Sequence, residues 1–550
     1  MFRFSILFIV IFSILLFRNL DPFITNTIYA EDGVWLMKGI NNGWFDTFTN
    51  ARDDYFIFIN IFVVYLSSLF SFIVSGNEYE YYHFFVAIFS NFYLSIVLLT
   101  TYLAFSRNFS KPISFAIVLL ISLFPLGSHT NEIIGRSLQL GFYCTLLMAN
   151  LVILKTHEAI NDRAFKFSAF ICLATNPLSI FPLGLYFLSS LKDKCSFIST
   201  VKSNFVFLVC CLFLFLVIFL RIYHSENIDR LSIEHIGNII DFYFSRNLIY
   251  PFVYNVYSAL SYPIFLSAGV IFLSFFFISI FRSTAQIRWM GILYFSTGVF
   301  LSWATWKMRP DIANFYYGYN NTFPERYFMA ANIFSLCLIP FLFSFVRNES
   351  FKSLVTVLTL SVIALPWVTK ESVFELNEPK FNLSYFGTFE EMTCSSSGND
   401  VKIAPVGWSV NIDDVTLTKL KNSYQCISPP SSEATTVLMN DIQVIDDSIV
   451  LGEEDPFIVF SVEDAEDARF VLSLEYSECS KLGNVQVFYF DDGVAREKNS
   501  LRKLVRSQHQ FIDFSTISPS VLPSSFNIRV DFENFKGCKS FREPKIYTYN

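Results

Sequence analysis

Apolar residues fill the first two thirds of the chain in runs near 20 residues long. They lie at about 4–19, 55–75, 82–105, 112–127, 138–155, 165–190, 203–222, 262–282, 288–306, 326–346 and 350–368. Roughly 20 consecutive apolar residues cross the hydrocarbon layer as a helix. The pattern therefore predicts a multi-span α-helical membrane domain over residues 1–369. From 370 onward the pattern changes to short runs rich in β-branched and aromatic residues, at 437–445, 457–462, 470–476, 485–490 and 526–532, with turn residues between them. That spacing predicts strands, and an all-β sandwich over 370–550.

Charge then orients the spans. Lys and Arg collect in the short connections 107–111, 155–166, 192–202, 282–288 and 347–352, which the positive-inside rule places in the cytoplasm. Consistent alternation requires 55–75 to lie in the outer interface instead of crossing. It also makes 165–190 enter and leave from the cytoplasm as two halves broken at Asn176-Pro177, because proline interrupts the helix there. The stretches 20–54, 76–81, 128–137, 223–261 and 307–325 fall outside, together with the C-terminal domain. The first run is followed by Arg18-Asn19-Leu20-Asp21-Pro22, not by a small-residue cleavage pattern, so it reads as an uncleaved span.

Composition adds three points. With 53% hydrophobic residues and 67 Phe, the chain is too apolar for a soluble protein of this length. The net charge of −7 divides unevenly: acids exceed bases by about twelve beyond residue 370, and neither half has the dense basic patch that nucleic-acid binding needs. Of the ten cysteines, Cys394, Cys426, Cys479 and Cys538 lie in the C-terminal domain. An even number in an exported domain suggests two disulfides. Neighbour pairing, Cys394 with Cys426 and Cys479 with Cys538, is the expectation among three connectivities.

The candidate chemistry sits between spans. Glu31 and Asp32 follow the first span, flanked by Tyr29 and Trp35. A carboxylate there could accept a proton from an attacking hydroxyl, or simply favour a helix N-terminus. Arg52, Asp53 and Asp54 close the same loop. Arg52 could clamp a phosphate, and Asp53 or Asp54 could join Asp32 around a divalent cation; a charged collar at a helix end is the plain alternative. His129, Asn131, Glu132 and Arg136 fill the third outer stretch, where sugar or metal binding competes with loop solvation. Lys307, Arg309, Glu325, Arg326 and Tyr327 bracket the last outer loop, with the aromatic run around Tyr317 between them. Cations on the outer side run against the positive-inside rule and suit the phosphate of a lipid carrier. No Walker loop, dinucleotide fingerprint, nucleophile elbow or HExxH motif occurs, so a sugar donor would have to arrive on the membrane.

Ala30-Glu31-Asp32-Gly33-Val34-Trp35-Leu36, followed by Gly43-Trp44, resembles the first outer loop of bacterial GT-C glycosyltransferases. Within them it looks most like the serotype-converting O-antigen glucosyltransferase group. Ser75-Gly76-Asn77-Glu78-Tyr79-Glu80, the Asn176-Pro177 break and Glu325-Arg326-Tyr327-Phe328 resemble junctions and a late element of such enzymes. The stretch 483–490 looks like a strand of a jelly-roll module often appended to them. The resemblance implies that Asp32 is the catalytic base, Glu31 its partner and Arg326 a carrier-phosphate contact. A Tyr-x5-Pro-Arg stretch found in many relatives is missing from 56–63, which leaves the donor contacts there unassigned, and metal dependence is not carried over. The expected activity is an inverting transfer of a sugar from a polyprenyl-phosphate donor to a hydroxyl of an envelope glycan, O-antigen or similar. The expected place is the outer face of the bacterial cytoplasmic membrane, with the C-terminal domain extracytoplasmic. The rival readings are a non-catalytic envelope glycan transporter or assembly factor, and a glycan polymerase or ligase.

Overall fold

The computed structural model describes residues 2–549 apart from 190–201, 225–239, 254–259, 309–326, 371–387, 427–431, 464–468, 478–482, 515–524, 536–539 and some shorter stretches, including 54 and 127–129. Two compact units emerge: Met1–Leu20 with Lys38–Leu376, and Asp21–Met37 with Asn377–Asn550.

The first unit is helical. Its main helices are α1 (Phe2–Arg18), the C-terminal end of α2 (Ala30–Asn42), α3 (Phe58–Ser75), α4 (Tyr82–Phe105), α5 (Lys111–Ser122), α6 (Leu140–Thr156), α7 (Asp162–Thr175), α8 (Ile180–Ser189), α9 (Phe205–His224), α10 (Tyr262–Phe281), α11 (Ala285–Met308), α12 (Met329–Cys337) and α13 (Glu349–Lys370). Every apolar run of the sequence carries helix. Among the described residues, three helices, Phe58–Ser75, Tyr82–Phe105 and Pro263–Phe281, are long and apolar enough to cross a membrane. The first of these is the segment that loop charge placed in the interface; by length and composition it qualifies as a span. Loop charge reports orientation, whereas hydropathy reports the ability to cross, and the two need not agree.

Large apolar side chains point outward in stripes, such as Phe351, Leu354, Leu358, Val362 and Leu365 along α13. Their spacing of three and four residues covers one helix face, as a bundle surrounded by lipid requires. The break between α7 and α8 falls at Asn176-Pro177, where a 3-10 turn, Pro177–Ser179, intervenes. Side chains beside the break reach neighbouring helices: Asn176 Nδ2 donates to Gly141 O (2.9 Å) and Thr175 Oγ1 accepts from Ile59 N (3.1 Å). Deeper in the bundle, Asn150 of α6 donates to Thr101 Oγ1 of α4 (2.8 Å) and accepts from Tyr294 of α11. One carboxamide thus links three helices.

The second unit is mainly antiparallel sheet. Two short helices, α14 (Phe389–Ser395) and α15 (Asp414–Ser423), accompany a hairpin of β1 (Asp400–Ile403) and β2 (Trp408–Asn411). Then follow β3 (Ser432–Glu433), β4 (Thr435–Asn440), β5 (Ile442–Ile445), β6 (Ser448–Leu451), β7 (Phe457–Glu463), β8 (Arg469–Ser477), β9 (Asn484–Asp491), β10 (Val494–Leu504), β11 (His509–Asp513), β12 (Ser525–Glu533), β13 (Ser540–Arg542) and β14 (Lys545–Tyr549). One sheet runs β10-β9-β12-β7-β4; the other runs β3-β14-β8-β13-β6-β5, with β11 also on β8. Alternate residues such as Ile458, Phe460 and Val462 of β7 and Phe470, Leu472 and Leu474 of β8 meet in one apolar core. That is the period-two burial expected of packed antiparallel sheets.

Cys394 and Cys426 form a disulfide that ties α14 to the chain just beyond α15, as neighbour pairing predicted; Cys479 and Cys538 lie outside the described residues. A structural disulfide fits an oxidising, extracytoplasmic compartment. The link closes a separation of 32 residues, for which loop entropy contributes about 3–4 kcal/mol. Cys426→Ala should lower the thermal midpoint accordingly, and reductant should lower the midpoint of the parent protein by more than that of the variant. Equal midpoints for parent and variant would show that the bond contributes nothing. Asn150→Leu should cost about 1–2 kcal/mol in a detergent unfolding titration, because it strands the Tyr294 hydroxyl, whereas Thr101 keeps its bond to Val97 O.

Candidate functional site

Within the second unit, the stretch carrying the acidic pair is built by backbone pairing. Tyr29 bridges Ala404 in parallel, Ala30 N donates to Ala404 O (2.6 Å) and Ala404 N donates to Ile28 O (3.1 Å). Phe389 N donates to Asn26 O (2.8 Å). Helix α2 begins directly from this pairing, and Ala30 takes the left-handed conformation at φ 44, which costs an L-residue about 1–2 kcal/mol. Gly33 is required next: a Cβ there would lie 2.4 Å from Ile28 Cγ2 and 2.7 Å from Ile403 Cδ1. Glu31 and Asp32 occupy the first turn of α2, where the helix dipole favours carboxylates. Asp32 is 0% exposed and Glu31 half-buried. Sequence reading placed the pair openly at an outer surface; here the fold covers Asp32.

In the first unit, the irregular segment 134–138 is held by two asparagines. Asn19 Nδ2 donates to Ile134 O (2.7 Å), and Asn60 Nδ2 donates to Ser137 O (2.6 Å) and Leu138 O (2.9 Å). This fixes Arg136, whose side chain is 0% exposed. His83 of α4 lies close enough to Arg136 for their charges to interact. On the same face of α4, Asn91 approaches Gly135; a Cβ at Gly135 would meet Asn91 Nδ2 at 3.7 Å. His83 and Asn91 are two helical turns apart on one face. Neither Nδ1 of His83, nor either amide atom of Asn91, nor Oε1 of Gln139 has a hydrogen-bond partner, and all are buried. Buried polar atoms are normally paired, so this seam is suited to a polar ligand or to water.

A second buried arginine lies in the same unit. Arg246 sits on a π-helical turn, Tyr243–Ile249, with its guanidinium over the rings of Tyr250 (3.8 Å) and Phe328 (4.4 Å). Phe328 also packs with Phe242, Trp306 and Tyr327. Sequence reading found Tyr327 but missed Arg246; the polar triplet Ser245-Arg246-Asn247 within an aromatic stretch was the available signal. It also missed His83 and Asn91, which stand out as polar positions one face apart in an apolar run.

The remaining expected site residues divide as follows. Arg52 stacks over Tyr55 at 5.0 Å and Asp53 is exposed. Glu132 is half-buried on a short helix, Thr130–Ile133. Lys307 is half-buried near the end of α11, over the Trp306 ring at 4.9 Å. Asp54, His129, Arg309, Tyr317, Glu325 and Arg326 lie outside the described residues, as does the side chain of Asn131. Among the described residues no group of three His, Cys, Asp or Glu side chains is placed to hold a metal ion.

No family model matches the chain, and no curated protein does. Among solved structures the chain is similar to the arabinosyltransferase EmbB from Mycobacterium smegmatis, determined by cryo-EM, at 10% identity and a TM-score of 0.31. The match covers 98% of this chain and 64% of that one, so the chain spans less than two thirds of that enzyme's length. A score this low does not establish a common fold.

Gly33→Val should disturb the pairing of 28–33 with 403–410 by overpacking, at a cost of about 1–3 kcal/mol. Hydrogen exchange of the Ala30 and Ala404 amides should rise in the variant, and unchanged protection would show that the close approach is not needed.

Proposed function

We propose that the chain is a membrane glycosyltransferase of GT-C type. It would move a sugar from a polyprenyl-phosphate donor to a hydroxyl of an envelope glycan such as O-antigen. The observation that carries the reading is where the ionisable groups lie. The three membrane-length helices contain no Asp, Glu, Lys or Arg, whereas Asp32 and Arg136, both fully buried, lie in segments outside them. A transporter is expected to carry ionisable residues along its spans. Burying a carboxylate and a guanidinium is expensive, and such groups are kept where chemistry uses them.

In this reading the acceptor oxygen bonds to the anomeric carbon from the face opposite the carrier. The bond from that carbon to the phosphate oxygen breaks, and its electron pair leaves on the carrier phosphate. The acceptor proton passes to Asp32, with Glu31 beside it, once the acceptor has displaced the cover over that carboxylate. Single displacement inverts the anomeric centre. A guanidinium would stabilise the charge that develops on the phosphate, the largest electrostatic demand of the step. This chemistry would take place at the outer face of the bacterial cytoplasmic membrane. The disulfide-bearing β region would stand in the extracytoplasmic space.

The test is transfer from a panel of polyprenyl-phosphate sugars by the full-length protein in membranes. Asp32→Asn should reduce transfer by about 10²–10⁴-fold, the range for a general base, with insertion and elution unchanged. Parental activity in that variant removes Asp32 from the chemistry.

A further inference from the structure

We propose that Arg246 and Asn247, on a turn held by Asn332, form an anion subsite in the helical unit, built for a phosphate group that carries an apolar chain. This deepens the transferase reading, on which it rests for the identity of the phosphate as the donor's. The subsite itself is argued from side chains that no motif in the sequence marks.

A π-helical turn is rare, and such turns recur at functional sites because the inserted residue re-aims side chains. Here Tyr243–Ile249 presents Arg246 and Asn247 in succession. Asn332 of α12 holds the turn: its Nδ2 donates to Arg246 O (2.9 Å) and to Asn247 O (3.0 Å). Neither amide atom of Asn247 has a hydrogen-bond partner, and Oδ1 of Asn332 has none, although the two residues are 1% and 0% exposed. Two neighbouring carboxamides with unmet hydrogen bonds beside a buried cation mark a place prepared for something polar.

The chemistry of that occupant follows from the lining. The Tyr250 and Phe328 rings lie within 3.8 and 4.4 Å of the guanidinium carbon, and a guanidinium positioned by rings presents its fork of donors in a set plane. Asn247, the next residue of the turn, has a buried Nδ2 without a partner to add as a further donor. Around it, Phe242, Trp306 and Tyr327 pack with Phe328. Free phosphate has no use for such a wall, whereas a chain-bearing phosphate buries its first methylenes there.

The experiment compares dodecyl phosphate, inorganic phosphate and dodecanol as ligands of the full-length protein in detergent, by native mass spectrometry and by shift of the unfolding midpoint. Dodecyl phosphate should bind at least about tenfold more tightly than either of the others. Asn247→Asp, which keeps the shape and adds a repelling charge, should weaken it by about tenfold or more. Arg246→Lys should also weaken it, since the planar fork is lost while the charge remains. Where one variant fails to fold, the other decides. Equal binding of dodecyl phosphate and dodecanol overturns the subsite, as does binding unmoved by both substitutions. Tighter binding of inorganic phosphate overturns the assignment to a chain-bearing ligand. Dodecyl phosphate binding lost in these variants, in a protein that transfers no sugar from any donor, upholds the subsite and overturns only the transferase reading. Transfer and lipid-phosphate binding both unaffected by the substitutions do the reverse.

Discussion

A bundle as apolar as this one depends on where its polar atoms go. In hydrocarbon an unpaired backbone group costs several kcal/mol, so each helix end and each irregular stretch needs a partner supplied by the protein. Arg18 shows the solution. At the C-terminus of α1 its guanidinium donates to Ser122 O and Phe124 O, both at 2.7 Å, filling carbonyls at the end of α5 that its own turns cannot satisfy. Asn19 and Asn60 do the same for segment 134–138, and Asn332 for the π-helical turn.

These residues divide the work. Neutral carboxamides secure the main chain, and the cations Arg136 and Arg246 are delivered by the segments so secured. A carboxamide can donate to a carbonyl without bringing a net charge into a low-dielectric interior, where an ion is much more expensive. The charged groups are thus placed by neighbours that do not compete with them for anions.

Much of the architecture was legible from pattern. Apolar length marks each helix, the Asn176-Pro177 pair marks the broken segment, and alternation marks strands such as β7 and β8, because burial on one face is a local property of sequence. The site was less legible. The acidic turn starts from pairing between Tyr29 or Ala30 and Ala404, a main-chain contact with no side-chain signature. Arg246 is enclosed by Phe328, which is remote in sequence, and the turn geometry that presents it leaves no periodic trace. Gly33 looked like part of a motif; its physical reason, the closeness of Ile403, becomes visible only once the two segments lie side by side.

That same pairing has a consequence for how the protein is made. The segment 26–30 leaves the ribosome soon after α1, yet its backbone partners at 389 and 404 emerge only after the whole helical region has been synthesised. Translation at about 5–20 residues per second leaves those early amides waiting for tens of seconds. During that interval those amides lack their native backbone partners and depend on water. The acidic turn is thus completed last, so a truncated nascent chain would already hold its apolar helices but lack the backbone pairing from which that turn starts.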